Sequence, residues 1–426
     1  MKKSVKYSIL SIILAVTALT FSSCYSPIFY GIMNDVPPEK ATVSGNITTI
    51  ARCLVDGTEY LFLNGNGSLM YKKLDEDKHG AWKNYTALPF ELHHYNYYYS
   101  ASAKDGHVGQ QVLRVIADKD NIYLLTVAYE TNTEYGIVLP KKFYLWTRPL
   151  NGILEGKAAD WKDLAENADA SVFPTKKNTA EGSFETYFNL IYTNSPSPNH
   201  RKAILRATNP DTSEDSYYVL NGSTALTKDS SIGTSNYIAT DDDKKNTRVN
   251  SLFYLGDTLY YSDSQVVCTN ETKDTAATYA CMSSSDKNYN STKKLYLFEG
   301  NASSMSFIVE GSSAIASLAI TADSVIIGEG SYNASYTSNG GIQRVELDSS
   351  SKPKKELVKF TNNAEYQFTS AYIVMSLLCA DPSKTEAQAS MYATITYRGA
   401  GTSSSATPAN IGLWSYYSSR GNWNRE

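Results

Sequence analysis

Four short stretches of this chain repeat one arrangement: an apolar strand, a turn containing aspartate, and a second apolar strand. Ile50 to Leu54 and Tyr60 to Phe62 flank Asp56-Gly57, and Val112 to Ile116 and Ile122 to Leu124 flank Asp118 to Asn121. Leu252 to Leu255 and Leu259 to Tyr261 flank Gly256-Asp257, and Ser317 to Ile320 and Val325 to Ile327 flank Asp323-Ser324. Asp and Gly satisfy or relax the turn backbone while β-branched and aromatic residues fill the flanks, so each stretch reads as a β-hairpin. One small sheet cannot bury both of its faces. A chain that writes the same hairpin repeatedly is therefore expected to stack its sheets on one another.

After each hairpin comes a further short strand with an apolar centre, as in Leu69-Met70-Tyr71, Phe143 to Trp146, Leu295 to Phe298, Ile342 to Val345 and Leu413 to Tyr416. A second echo marks fourth strands: Gly80-Ala81-Trp82 with Asn84 matches Gly421-Asn422-Trp423 with Asn424, and Asp160-Trp161 is a weaker copy. With two less regular units, Phe184 to Leu220 and Phe368 onward, first strands begin near residues 47, 112, 184, 250, 315 and 368. The interval of about 50 to 70 residues suits a propeller blade with long connections. The expectation is an all-β chain forming a β-propeller of six four-stranded blades with long inter-strand insertions. A large β-sandwich or two β domains are the alternatives. Composition agrees, with 33 tyrosines among many Ser, Thr, Asn and Gly residues. Trp423 completes the last blade from its own residues, so packing, or a strand added from Tyr25 to Gly45, is expected to seal the seam between last and first blades.

The first residues have the layout of an export signal, with Lys2, Lys3 and Lys6 before a mostly apolar run from Ile9 to Leu19. That run is shorter than the roughly 20 residues of a bilayer span. Leu19-Thr20-Phe21-Ser22-Ser23-Cys24 resembles the lipobox of bacterial lipoproteins. Phe21 in place of the usual Leu resembles the relaxed lipoboxes of spirochaete lipoproteins and leaves open a plain signal peptide cut nearby. The strand patterns also resemble spirochaete-type lipoproteins with propeller-like bodies, and Gly412 to Tyr417 looks like propeller repeats of sensor ectodomains. The lipobox likeness implies that Cys24 carries lipid. The chain then divides into a signal peptide over 1–23, a lipidated tether over 24–45 and a propeller over 46–426. It implies a lipid-anchored protein of the bacterial cell envelope, at the outer membrane or periplasmic face, with the membrane as a partner.

Loss of three lysines with the signal deepens an acidic balance that starts from 39 Lys plus Arg against 43 Asp plus Glu. With no basic stripe and no recognised module, nucleic acid is not an expected partner. No nucleophile elbow, P-loop or zinc-helix pattern occurs, and WD, Kelch and Asp-box signatures are absent, so no catalytic residue is assigned. No cofactor or metal is expected. His79, His93, His94, His107 and His200 fall in expected loops, and adjacent His93 and His94 would point to opposite faces of a strand. Asp241-Asp242-Asp243 lacks the alternating ligands of a calcium loop. The inner strands read as apolar.

Cysteine and tyrosine carry more. Cys268 and Cys281 share one insertion, Ser262 to Thr292, where a disulfide would stabilise by about 3 kcal/mol, two free thiols being the alternative. Cys53 and Cys379 lie in inner hairpins that ring closure makes neighbours. They are expected to pack as small hydrophobes, although a bridge there would staple the seam. Phe90 to Ser102 crowds Tyr95, Tyr97, Tyr98 and Tyr99 more densely than strand alternation needs. Tyrosine offers a large rigid face with a hydroxyl, which suits a recognition loop for protein or sugar, or alternatively a strand covering a blade. The expected function is a binding or interaction scaffold for a protein or glycan. A carbohydrate-active propeller enzyme and a structural part of an envelope assembly are the alternatives.

Overall fold

Asp118 shows why a hairpin turns where it does. Its Oδ1 accepts the amide N–H groups of Asp120 at 2.7 Å and Asn121 at 2.6 Å, and its Oδ2 accepts the buried hydroxyl of Tyr123. One side chain thus satisfies the turn backbone and accepts the proton of a buried phenol. In the first hairpin Asp56 and Gly57 take φ of 47° and 79°. That paired left-handed geometry matches the twist of the strands it joins.

The computed structural model describes residues 43, 47–74, 76–77, 81–92, 109–132, 137–166, 170–177, 184–192, 197–212, 214–223, 226–228, 249–255, 258–263, 278–282, 294–298, 305–310, 315–329, 341–349, 354, 356–359, 372–397 and 412–426. The chain divides into two units, Met1–Thr42 and Val43–Glu426, and all described residues belong to the second.

The first sheet holds β1 (Ile50–Val55), β2 (Thr58–Leu63), β3 (Met70–Lys73) and β4 (Lys83–Asn84), antiparallel and in chain order. The second repeats this with β5 (Gln110–Ala117), β6 (Asn121–Asn132), β7 (Ile137–Pro149) and β8 (Lys162–Asp163). A small pair, β9 (Thr175–Lys177) and β10 (Phe184–Thr186), precedes the third sheet of β11 (Phe188–Tyr192), β12 (Ala203–Thr208), β13 (Asp215–Val219) and β14 (Thr227–Lys228). Next come a two-stranded sheet, β15 (Val249–Leu255) with β16 (Thr258–Asp263), and a three-stranded one, β17 (Thr278–Met282), β18 (Lys294–Phe298) and β19 (Met305–Glu310). Two further four-stranded sheets follow. One comprises β20 (Ile315–Ile320), β21 (Ser324–Glu329), β22 (Gly341–Glu346) and β23 (Val358–Lys359), and the last β24 (Tyr372–Cys379), β25 (Met391–Tyr397), β26 (Gly412–Tyr417) and β27 (Asn422–Arg425).

Where side chains are described, neighbouring sheets bury apolar faces on one another. Phe62 and Tyr85 share a core with Val115, Leu124 and Trp161 of the second sheet, whose Ile116 and Tyr123 share another with Leu190 and Leu205 of the third. β11 lies beside β15 and β17 beside β20, and Ile326 packs with Val374, Met391 and Trp423. Ile50, Leu61 and Leu63 of the first sheet then meet Leu378, Tyr392 and Leu413 of the last. The series closes on itself, and the fold is a β-propeller.

The four aspartate hairpins are the leading strand pairs of their sheets, as expected, but six four-stranded blades are not what the described residues form. Five sheets have four strands. Between Val249 and Glu310 there are five strands in two sheets, because β16 lies beside β17 with no hydrogen-bonded ladder joining them. The third sheet also starts later than expected. Phe184 pairs with Lys177 in the small β9–β10 sheet, and the chain changes partner at Tyr187, whose N–H donates to Pro174 O while its carbonyl accepts Thr208 N–H. Trp82 and Trp161 each immediately precede a fourth strand and Trp423 lies within one, all buried, so the weaker Asp160-Trp161 copy is equivalent in place to the other two.

At the seam no strand is exchanged among the described residues. Val43 N–H donates to Glu426 O at 3.3 Å, and the rest is side-chain packing, ion pairs and side-chain hydrogen bonds. Lys72, fully buried, extends from β3 to Glu426 Oε2 at 2.9 Å and Tyr417 Oη at 3.0 Å, with the rings of Trp82, Tyr392 and Tyr417 within 5.4 Å of its ammonium. Trp82 Nε1 donates to the same carboxylate oxygen at 2.8 Å. Cys53 and Cys379 are both buried and in no disulfide, and burial pushes the Cys53 thiol well above its ordinary range, which leaves it unreactive.

Candidate functional site

Strand alternation gives the ring two unlike ends. The turns within the leading hairpins lie at one, and the connections from sheet to sheet lie at the other. Tyr95, Tyr97, Tyr98 and Tyr99 belong to the connection between the first two sheets and lie outside the described residues, as do Cys24 and Cys268. Cys281 falls in β17, where only the backbone is described. His79, His93, His94, His107 and Asp241 to Asp243 also lie outside, while His200 sits in a 3-10 turn over Pro198–His200.

The base of the tyrosine-rich connection is described on both sides. Gln110 N–H donates to Glu91 O at 2.8 Å, and Leu92 forms a single parallel bridge with Gln110. Gly109, between them, has φ of 69°, and a Cβ there would stand 2.8 Å from the Leu92 backbone, so only glycine lets the two chain segments meet. Leu92 and Gly109, the described residues on either side of the connection, are therefore held against each other at the edge of the second sheet.

Beside that point is a shelf of half-buried rings. Tyr144 and Trp146, two apart on β7 and so on one face, stack with centroids 5.7 Å apart and planes 12° apart. Phe90 lies 5.9 Å from Trp146. The indole N–H of Trp146 donates to Gln110 Oε1 at 3.2 Å, and Lys142 Nζ stands 4.5 Å above the Tyr144 ring. Flat apolar faces edged with polar groups are what a sugar ring or another aromatic surface packs against.

At the opposite end a cleft of about 490 Å³ opens between the first and last sheets, lined by Arg52, Thr58, Glu59, Lys73, Leu74, Ala380 and Asp381. Arg52 ties its walls together, donating from Nη1 to Ala380 O at 2.8 Å and from Nε to Glu59 Oε2 at 3.3 Å. Arg201, just past the Pro198–His200 turn of the third sheet, reaches Glu59 Oε1 at 2.6 Å. Asp381 accepts the Ser383 hydroxyl at 2.6 Å and its N–H at 3.0 Å, and these bonds hold its carboxyl below the usual carboxylate range.

The first strands are not apolar throughout, contrary to expectation. Arg52, Arg114, Ser317 and Ser376 all lie on first strands. Arg114 Nη1 donates to Leu190 O at 3.4 Å, and Tyr192 of the third sheet is hydrogen-bonded to Ser376 of the last, so first strands that are distant in sequence are laced together. The signal for this was a lone charge inside an otherwise apolar strand, as in Ile50-Ala51-Arg52-Cys53-Leu54-Val55. Among the described residues no three His, Cys, Asp or Glu side chains gather closely enough to hold a metal ion. No helix among them is long and apolar enough to cross a membrane.

No protein-family model matches this sequence, and no curated protein matches it. Among solved structures, phage phi92 endosialidase is 10% identical, with 83% of this chain and 62% of that chain covered and a TM-score of 0.38. A mutant of AofleA from Arthrobotrys oligospora is 9% identical, with 91% and 86% covered and a TM-score of 0.35. The β-propeller domain of Cps50 (Swd1) from Myceliophteria thermophila is 10% identical, with 84% and 96% covered and a TM-score of 0.31. These likenesses are distant, and the propeller assignment rests on this chain's own sheet order and closed series of cores.

Proposed function

We propose that this chain is a lipid-anchored, extracytoplasmic binding scaffold that presents residues 93–108 to a glycan or protein partner. The observation that carries the reading is the pinned base of that stretch. Glu91 and Leu92 meet Gly109 and Gln110 beside the Phe90, Tyr144 and Trp146 shelf, so the connection that carries the four tyrosines begins and ends at one fixed point. Connections held at the base by a rigid scaffold are where propellers and sandwiches carry recognition. The ring is six-bladed in this reading, with β15 to β19 serving together as the fourth blade. Cys24 carries the lipid, and residues 24–45 hold the body off the membrane.

The test replaces Tyr97, Tyr98 and Tyr99 by Ser and measures thermal unfolding alongside retention on a glycan array and on cells. A recognition loop loses binding with the melting temperature nearly unchanged. If the tyrosines instead cover a blade, each lost ring costs on the order of 3 kcal/mol and the variant unfolds early. Fatty-acid labelling of the same preparations should disappear in Cys24→Ala, and labelling that persists there would overturn the anchor.

A further inference from the structure

The cleft at the hairpin end lies across the seam, and its two walls differ in charge. On the first-sheet wall Lys73 is exposed and makes no ion pair among the described residues, although its neighbour Lys72 is wholly engaged inside the seam. The alternation of β3 separates them: Lys72 points into the core between the sheets and Lys73 away from it. On the last-sheet wall stands Asp381, kept ionised by the Ser383 hydroxyl and amide and 3.8 Å from Lys384 at the rim. The Arg52–Glu59 pair lies between them, Thr58 offers a hydroxyl, and half-buried Leu74 supplies an apolar patch.

From this arrangement we infer that the cleft binds a small zwitterion, an amino acid or short peptide whose carboxylate meets Lys73 and whose ammonium meets Asp381. A cleft of about 490 Å³ accommodates a ligand of that size. An ammonium adds to its hydrogen bond an ionic attraction to the carboxylate that a neutral sugar hydroxyl lacks, which favours a zwitterion over an acidic sugar. Because the walls come from the first and last sheets, the bound ligand bridges the seam and stabilises ring closure by mass action. The inference is independent of residues 93–108.

Calorimetric titration of the purified protein with alanine, dialanine, acetate, ethylammonium and glucuronate tests it. Alanine or dialanine should bind at least about tenfold more tightly than acetate or ethylammonium, the equivalent of one charge-assisted contact. The tighter of the two identifies a free amino acid or a peptide as the source. Lys73→Ala and Asp381→Asn should each abolish that advantage while leaving the ligand-free melting temperature unchanged, and the bound ligand should raise the melting temperature of the parent protein only. Equal binding of all five probes, glucuronate binding more tightly than dialanine, or full zwitterion binding by Lys73→Ala would overturn the proposal.

Discussion

Lys72 is the residue on which the seam turns. An ammonium taken wholly out of water is tolerated only when its charge is answered, and here a carboxylate, a phenol oxygen and three aromatic faces answer it. Glu426 depends on Lys72 in turn, since its Oε2 accepts from Lys72 Nζ and Trp82 Nε1. Lys72→Met preserves the aliphatic stem but takes away the closer of the two cations at the carboxylate, leaving Arg420 at 3.7 Å from Oε1. It should lower stability to urea by about 3 to 5 kcal/mol, and adding Glu426→Gln should recover part of that loss. Equal loss in single and double variants would show that an under-compensated Glu426 carboxylate is not the source of the loss.

Among the elements, the leading hairpins were legible because their turn chemistry is local. Asp118 needs only the amides of Asp120 and Asn121 and the hydroxyl of Tyr123, all within five residues of it in the chain. Asp118→Ala removes these acceptor contacts, that of Asn121 Nδ2 at 3.5 Å included, and takes the carboxylate acceptor from the buried Tyr123 hydroxyl, so unfolding in urea should shift by about 2 to 3 kcal/mol. Asp118→Asn keeps an acceptor oxygen for the turn and should cost less than half as much. The buried tryptophans before or within fourth strands were legible for a similar reason, since a bulky ring recurs at or beside the fourth strand in three of the units. The join at Tyr187 was not legible. Phe-Glu-Thr and Phe-Asn-Leu both read as strands, and only long-range bonds to Pro174 and Thr208 decide which belongs to the third sheet. The cleft was invisible in sequence because Arg52, Lys73, Arg201 and Asp381 are brought together only by closure of the ring. The tyrosine-rich connection was found by composition, but Gly109, which pins its base, gave no signal apart from being glycine.

For the whole molecule, the shared cores make proton uptake a collective matter. Burial pushes the hydroxyls of Tyr85, Tyr123 and Tyr417 above the ordinary value of 10.0. A group whose folded pKa is raised contributes stability that is present below its unfolded pKa and lost as pH climbs past it, because the unfolded chain then releases a proton that the folded chain keeps. Lys72 acts in the opposite sense. Burial lowers its pKa from 10.5, so below that value the unfolded state holds the extra proton and stability rises with pH. Three tyrosines outweigh one lysine above about pH 10. Alkaline unfolding should therefore be cooperative, with much of the tyrosinate absorbance at 295 nm, roughly the phenolate band, appearing together with loss of the β circular dichroism. Complete titration while the sheet signal persists would contradict this. The bond from Val43 to Glu426 has a mechanical consequence as well. If the protein hangs from Cys24, tension on the tether arrives where the ring is fastened, so first and last sheets bear the load together and neither is peeled away alone.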